Sequence, residues 1–192
     1  MYDEAKRYGE AIVTSYGRDR AVDVRIVRIF NTYGPHSDPD DGRLIPNFIT
    51  QALRGEPMTV YARGEQTRSL CYVSDLVEGL VLMMERDAAS GKVVNLGNPE
   101  EHTVLEYAEL IRELTRSSSE FMFTEVAVGD DPQRRRPDIS RARAVLGWEP
   151  TVGLKDGLRR TIEYFRNELS VVADIDEPDA LPVPQPMSAR GR

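Results

Sequence analysis

Val22-Asp23-Val24-Arg25-Ile26-Val27-Arg28-Ile29-Phe30 is β-branched and mostly apolar, and it runs into a loop rich in Gly, Pro and Asp from Asn31 to Gly42. Such a run reads as a strand of a parallel sheet, buried on both faces. The segment before it, residues 3 to 19, carries Tyr8, Ala11, Ile12, Ser15 and Tyr16 at helical spacing. A helix leading into a buried strand points to an α/β fold, and the remaining motifs take their places from that frame.

Downstream the alternation continues. A helix is expected over residues 44–54, with Gly55 as its stop. Residues 59–61 and 67–73 read as short strands around the turn Ala62-Arg63-Gly64-Glu65, and Ser74 as the N-cap of a helix over 75–86. Residues 93–96 form another short strand pattern. Thr103-Val104-Leu105-Glu106 is a capping-box pattern, opening a helix that runs to about residue 116. A strand over 121–126 and helices over 138–146 and 154–169 complete the folded part, with Gly147 ending the first of those helices. From Ser170 onward, Pro178, Pro182, Pro184 and Pro186 with few large apolar groups read as a disordered tail. The stripes Leu80-Val81-Met83-Met84 and Leu158-Ile162-Phe165 are core positions without a cofactor role.

A length of 192 residues is enough to bury a substantial core, and 40% hydrophobic with 30% charged residues is a globular composition. The net charge of −7 argues against nucleic acid as a partner, since that role favours a basic face. One cysteine, Cys71, has no internal disulfide partner, which fits a reducing cytoplasm. No apolar run is long enough to span a membrane, and the first residues are not a secretory signal. The two histidines, His36 and His102, are far apart in sequence, so no His-rich metal site is expected.

The chemistry-bearing motif is at the front. In Tyr2-Asp3-Glu4-Ala5-Lys6 a phenol and an ammonium fall about one helical turn apart on one face. A lysine beside a phenol favours the phenolate, and a tyrosine so placed can act as a general base on a hydroxyl. Three further stretches follow in order: Arg28-Ile29-Phe30-Asn31-Thr32-Tyr33-Gly34-Pro35, then Gln66-Thr67-Arg68, then Pro132-Gln133-Arg134-Arg135-Arg136-Pro137. Together with Tyr2 and Lys6 they resemble the second half of an extended short-chain dehydrogenase/reductase of the NAD-dependent epimerase/dehydratase family. The nearest likeness is to the UDP-glucuronic acid decarboxylases, which make UDP-xylose.

The resemblance implies a fold and a set of roles. The fold is the C-terminal part of an NAD(P)-binding Rossmann-like domain plus a smaller mixed domain for the nucleotide sugar. Residues 1–42 would be the remnant of the dinucleotide-binding domain, 43–169 mainly the nucleotide-sugar domain, and 170–192 the tail. Tyr2 and Lys6 would be catalytic and touch NAD, with Thr32 and Arg43 also approaching the cofactor. Asn31, just past the strand end where open α/β sheets bind ligands, would contact the nucleotide sugar. Arg68 would fork onto the diphosphate, and Val60 and Tyr61 would line the uracil pocket. Arg135 would face the sugar carboxylate, a cation that epimerases and 4,6-dehydratases do not need. The stretch Val94-Asn95-Leu96-Gly97-Asn98-Pro99-Glu100-Glu101 is also decarboxylase-like. In that family hydride leaves C4 of the glucuronate to NAD+, the 4-keto acid loses carbon dioxide, and the ketone is reduced again. Relatives pair through the helix bearing Tyr-x-x-x-Lys, which implies a homodimer.

The sequence also departs from that family. No Gly-x-x-Gly-x-x-Gly fingerprint, which holds a cofactor pyrophosphate at a helix start, precedes Tyr2. The family's Ser/Thr and glutamate upstream of the tyrosine have no counterpart either, so the likeness covers about residues 2–169 and reads as an enzyme without its front half. The competing expectations are another nucleotide-sugar epimerase or dehydratase, which would share Tyr2, Lys6 and Asn31, and a non-catalytic UDP-sugar-binding module.

Overall fold

The computed structural model describes residues 2–125 and 136–176, with backbone alone for residue 2 and residues 171–176. In chain order the elements are α1 (Tyr2–Arg20), β1 (Ile26–Ile29), β2 (Thr32–Tyr33), α2 (Leu44–Arg54), β3 (Met58–Tyr61), β4 (Thr67–Arg68), β5 (Cys71–Tyr72) and α3 (Val73–Glu85). A 3-10 turn at Asp87–Ala89 leads to β6 (Val93–Leu96), β7 (His102–Thr103), α4 (Val104–Thr115), β8 (Phe121–Thr124), α5 (Ser140–Leu146) and α6 (Leu154–Asp176). The alternation makes this a mixed α/β chain, as its sequence pattern implies.

Among the described residues three strand pairs are parallel and one is antiparallel. β1 runs beside β6 with Ile26 opposite Val93 and Ile29 opposite Leu96. β2 pairs with β5, and β3 with β8, also in parallel. β4 and β7 are antiparallel, with Arg68 opposite His102. Two hydrophobic clusters hold these pairs. One gathers Phe48 and Ile49 of α2, Met58 and Val60 of β3, Tyr107 and Ile111 of α4, and Leu158, Ile162 and Phe165 of α6. The other gathers Leu76 and Met83 of α3, Val94 and Leu96 of β6, and Ala142, Leu146 and Trp148 at α5.

Several boundaries follow local chemistry as expected. α2 stops at Gly55, whose φ of 70° is a left-handed turn that costs glycine little. α5 stops in the same way at Gly147. The capping box at α4 is formed in full: the Thr103 hydroxyl accepts from the Glu106 amide, and the Glu106 carboxylate accepts from the Thr103 amide.

Elsewhere tertiary structure overrides the local pattern. The strand expected over Val22–Phe30 shortens to β1, and it is not buried on both faces, since Arg28 and Ile29 are exposed. In α1 the apolar residues Tyr8, Ile12 and Tyr16 point to solvent, while Glu10, Thr14 and Gly17 take the side toward β1 and its flank. The single strand expected over 67–73 is two, because β4 and β5 pair with different partners. α3 begins at Val73 with Tyr72 at its N-cap and no side-chain cap, so Ser74 does not cap it. α6 extends through Asp176, which makes residues 170–176 helical rather than part of a tail. The remainder of that expected tail lies outside the described residues.

Candidate functional site

The direction of α1 fixes where its first residues lie. Arg28 of β1 makes a two-pronged ion pair with Glu10, at 2.6 and 2.7 Å, and a Cβ placed on Gly17 would come within 2.6 Å of the Val24 side chain. The helix therefore runs antiparallel to β1. Seven helical residues rise about 10 Å and four strand residues about 13 Å, so the two advance at comparable rates. Extrapolated one turn beyond Glu10, Lys6 lies level with Phe30 and Asn31, and Tyr2 opens the same helix end. The Tyr-x-x-x-Lys turn thus stands at the C-terminal end of β1, the end at which open parallel sheets bind ligands.

Asn31 and Thr32 follow directly. The Asn31 side is exposed while its carbonyl accepts the Cys71 amide at 2.9 Å. This bond ties the end of β1 to the stretch just after Arg68. Thr32 is half-buried and its hydroxyl is turned to the Phe30 carbonyl at 3.0 Å. Arg43 is exposed at the start of α2, where both its amide and its guanidinium are held by Asp41, at 2.8 and 3.3 Å.

Arg68 is half-buried on β4. Its Nη1 donates to the Thr67 carbonyl at 2.7 Å, and its own carbonyl accepts the Tyr107 hydroxyl at 3.1 Å. Beside it, Thr67 donates to Glu101 at 3.0 Å, and Arg136 lies 4.0 Å from the same carboxylate. Glu101 therefore links the strand carrying Arg68 to the arginine-rich segment, a role that the sequence alone did not assign. The only signal was its place at the end of the decarboxylase-like stretch Val94 to Glu101.

Arg135 itself lies outside the described residues, but the residues after it are placed. A Cβ on Gly97 would come within 2.7 Å of Phe30 and 3.1 Å of Pro137. Glycine at 97 lets the chain from Pro137 onward pack against the ends of β1 and β6, and Asn95 adds a hydrogen bond to the Asp138 carbonyl at 3.0 Å.

Val60 and Tyr61 separate. The Val60 side chain is fully buried in the first cluster, so its main chain is what it can offer to a base. Tyr61 is exposed at the end of β3. The buried phenols Tyr33 and Tyr107 are held protonated, their ionisation pushed up by loss of water, and burial pushes the Cys71 thiol up to about 12. None of these three is poised as a base or nucleophile at neutral pH.

Two open grooves, of about 290 and 370 Å³, run along α1 and are lined by Arg7, Arg18, Arg28 and Lys92 among others. They lie on the flank of β1 and are lined by none of Asn31, Val60, Tyr61 and Arg68.

Residues 1–97 match the model of the NAD dependent epimerase/dehydratase family. Over 189 residues the chain is 50% identical to UDP-glucuronic acid decarboxylase 1 of Xenopus tropicalis, a match covering 98% of this chain and 43% of that protein. The likeness thus reaches past residue 169. The chain spans less than half the length of this curated relative. Among solved structures, UDP-glucose 4-epimerase of Thermotoga maritima with UDP-glucose aligns at a TM-score of 0.83 and 32% identity, over 88% of this chain and 54% of its own. UDP-glucuronic acid 4-epimerase of Bacillus cereus, in complex with UDP-glucuronic acid and NAD, aligns at 0.77 and 30%, over 83% and 50%.

Proposed function

Because the chain belongs to the NAD dependent epimerase/dehydratase family, we propose that it carries the nucleotide-sugar side and the Tyr-Lys pair of a UDP-glucuronate decarboxylase. The observation that carries this reading is the packing of Pro137 on Gly97 and Phe30, which brings the segment following Arg135 to the sheet end where α1 begins. A cation there would meet the carboxylate of a sugar whose C4 faces the Tyr-Lys turn. The 50% identity to a decarboxylase supports the same choice.

In this reading residues 1–42 supply the helix and strand of the cofactor side and residues 43–169 mainly the nucleotide-sugar side. Tyr2 accepts the proton of the C4 hydroxyl, and the Lys6 ammonium favours the phenolate that does so. Asn31 orients the sugar, Arg68 holds the diphosphate, and Tyr61 with the main chain of Val60 borders the uracil. Arg135 holds the carboxylate until the 4-ketone accepts the electrons of the breaking C–C bond and carbon dioxide leaves. NAD, when bound, would supply reversible hydride transfer at C4, and Tyr2, Lys6, Thr32 and Arg43 would be the residues that hold its reacting end. The Tyr-Lys turn fits the reacting end of that cofactor. The described residues offer no strand, Gly-rich turn and helix for its pyrophosphate, so that end of the cofactor has no seat among them.

The complete gene product incubated with UDP-glucuronate and NAD+ is expected to release carbon dioxide and form UDP-xylose or the UDP-4-keto-pentose. A product retaining the carboxylate would instead make it an epimerase, a reading favoured by solved neighbours that are 4-epimerases. We also propose a homodimer through the outward face of α1, where Tyr8 and Tyr16 are 69% and 60% exposed. Light scattering at micromolar concentration giving a monomer would contradict it. Action in the cytoplasm fits the lone cysteine, and among the described residues no helix is long and apolar enough to cross a membrane.

A further inference from the structure

Positions 2, 6 and 10 of α1 follow one another at a spacing of four, so they share one face of the helix about a turn apart. The third of them is the one that grips the sheet. The Glu10 carboxylate takes both prongs of the Arg28 guanidinium, from Nε at 2.6 Å and from Nη2 at 2.7 Å. Arg28 stands on β1 shortly before Phe30 and Asn31, the strand end with which Lys6 is level. Each partner keeps the other ionised: the guanidinium holds the Glu10 carboxyl below its ordinary range, and the carboxylate holds the Arg28 cation above its own. The fork therefore persists at neutral pH.

Gly17 gives α1 a second seat, since a Cβ there would come within 2.6 Å of Val24. Between and beside these seats apolar packing does little. Tyr8, Ile12 and Tyr16 are exposed, and the spaces next to the fork are the open grooves already described. A helix seated on Gly17 alone could pivot. Position 2 lies about 22 Å along the helix from Gly17, so a tilt of about 5° would carry it about 2 Å sideways. A misplacement of about 1 Å at a reacting group can cost about 100-fold in rate. Glu10 is roughly half-way along that lever, and a two-pronged pair fixes the planes of both groups as well as their distance. It thus resists roll as well as tilt. With side chains 55% and 26% exposed the pair adds little to stability, so its weight is geometric.

We propose that Glu10 and Arg28 are positioning residues of the reaction: their fork sets the height and roll of α1 on β1 and so holds the Tyr-Lys turn at the end of the strand. Neither reaches the reacting atoms, because Glu10 sits two turns behind position 2. The proposal rests on the roles given above to Tyr2 and Lys6, and not on the loss of carbon dioxide.

The test uses the complete gene product with UDP-glucuronate and NAD+. Arg28→Lys keeps the charge and loses the fork. Glu10→Gln keeps the shape and loses the charge, and Glu10→Arg combined with Arg28→Glu rebuilds the fork with its ends exchanged. Each single variant should lower kcat by at least ~10-fold, while UDP affinity, read by calorimetry, stays within about 3-fold of the parent. The exchanged pair should recover kcat to within about 3-fold. The single losses should also depend on pH. With Lys6 drawn away from the phenol, the phenolate needs a higher pH, so the acid limb of kcat against pH moves up by about one unit or more. A weakened fold would lower the whole profile alike. Parental turnover in both single variants would overturn the proposal. So would a profile lowered equally at every pH, and so would an exchanged pair of parental helix content that recovers nothing. Product identity is scored apart from this: a parent product retaining the carboxylate ends the decarboxylase reading, while the ratio of variant to parent still measures the fork.

Discussion

Ala62 holds a left-handed backbone, φ 53°, in the turn after β3, where its amide donates to the Thr124 carbonyl at 2.8 Å. An L-residue there costs roughly 1–2 kcal/mol, against a gain of about 0.4–1 kcal/mol from the stiffer unfolded chain. Strain wins, so Ala62→Gly should stabilise the fold by about 0.5–1 kcal/mol in urea unfolding. A variant less stable than the parent would contradict this. Arg135 illustrates a different kind of residue: its role rests on resemblance and on the placement of Arg136 and Pro137 beside it. In the complete enzyme Arg135→Ala should lower turnover by more than about 100-fold, the loss of one preorganised charge donor. UDP affinity, read by calorimetry, should change little. Single residues were legible in the sequence where a local signal names them, as with Gly55 at the end of α2. They were not legible where a nonlocal partner decides. Val60 is buried in a cluster with Tyr107 of α4 and Leu158 of α6, residues distant in sequence, and nothing within its own strand announces that.

Elements were readable in proportion to how local their determinants are. α4 follows from its own first four residues, and α2 and α5 from the glycines that stop them. α3 starts at Val73, earlier than its pattern suggests, and Asp75, which looks like a first-turn acid, spends its carboxylate on the Thr151 and Val152 amides and the Thr151 hydroxyl, at 3.0 to 3.2 Å. The outward apolar face of α1 is not legible either, because helical spacing says which residues share a side but not what that side meets. The capping box of α4 makes a prediction about pH. The Thr103 amide holds the Glu106 carboxyl below its ordinary range. A depressed folded pKa means that the contribution is complete above the unfolded glutamate value and lost as pH falls through the folded one. Because Glu106 is exposed, the effect is at most about 1 kcal/mol. Glu106→Gln keeps an acceptor that does not titrate, so any stability advantage of the parent over it at neutral pH should shrink below about pH 4. An advantage unchanged down to about pH 3 would remove the carboxylate from the account.

At the scale of the whole molecule, α/β class and element order were legible from periodicity, whereas the sheet edges were not, since pairing is a property of distant segments. The edge of β1 that no strand borders among the described residues and the lack of a Gly-rich turn predict the behaviour of these 192 residues by themselves. They should bind UDP weakly, bind NAD+ below detection in calorimetry, and release no carbon dioxide from UDP-glucuronate; release of carbon dioxide by the purified chain would refute this. Asp75 has a larger consequence. It sits on a helix of the second hydrophobic cluster, yet it grips the segment that leads into α6 of the first, while its carbonyl accepts the Trp148 indole at 2.9 Å. The clasp is a thermal coupling: the segment leading into the first cluster cannot melt away from the second without breaking the bonds to Asp75. Heating should therefore give one heat-capacity peak, and Asp75→Ala, which takes the acceptor from the part-buried Thr151 and Val152 amides at up to about 1 kcal/mol each, should split it into two. A single undivided peak in the variant would mean that the clusters are fused by packing alone.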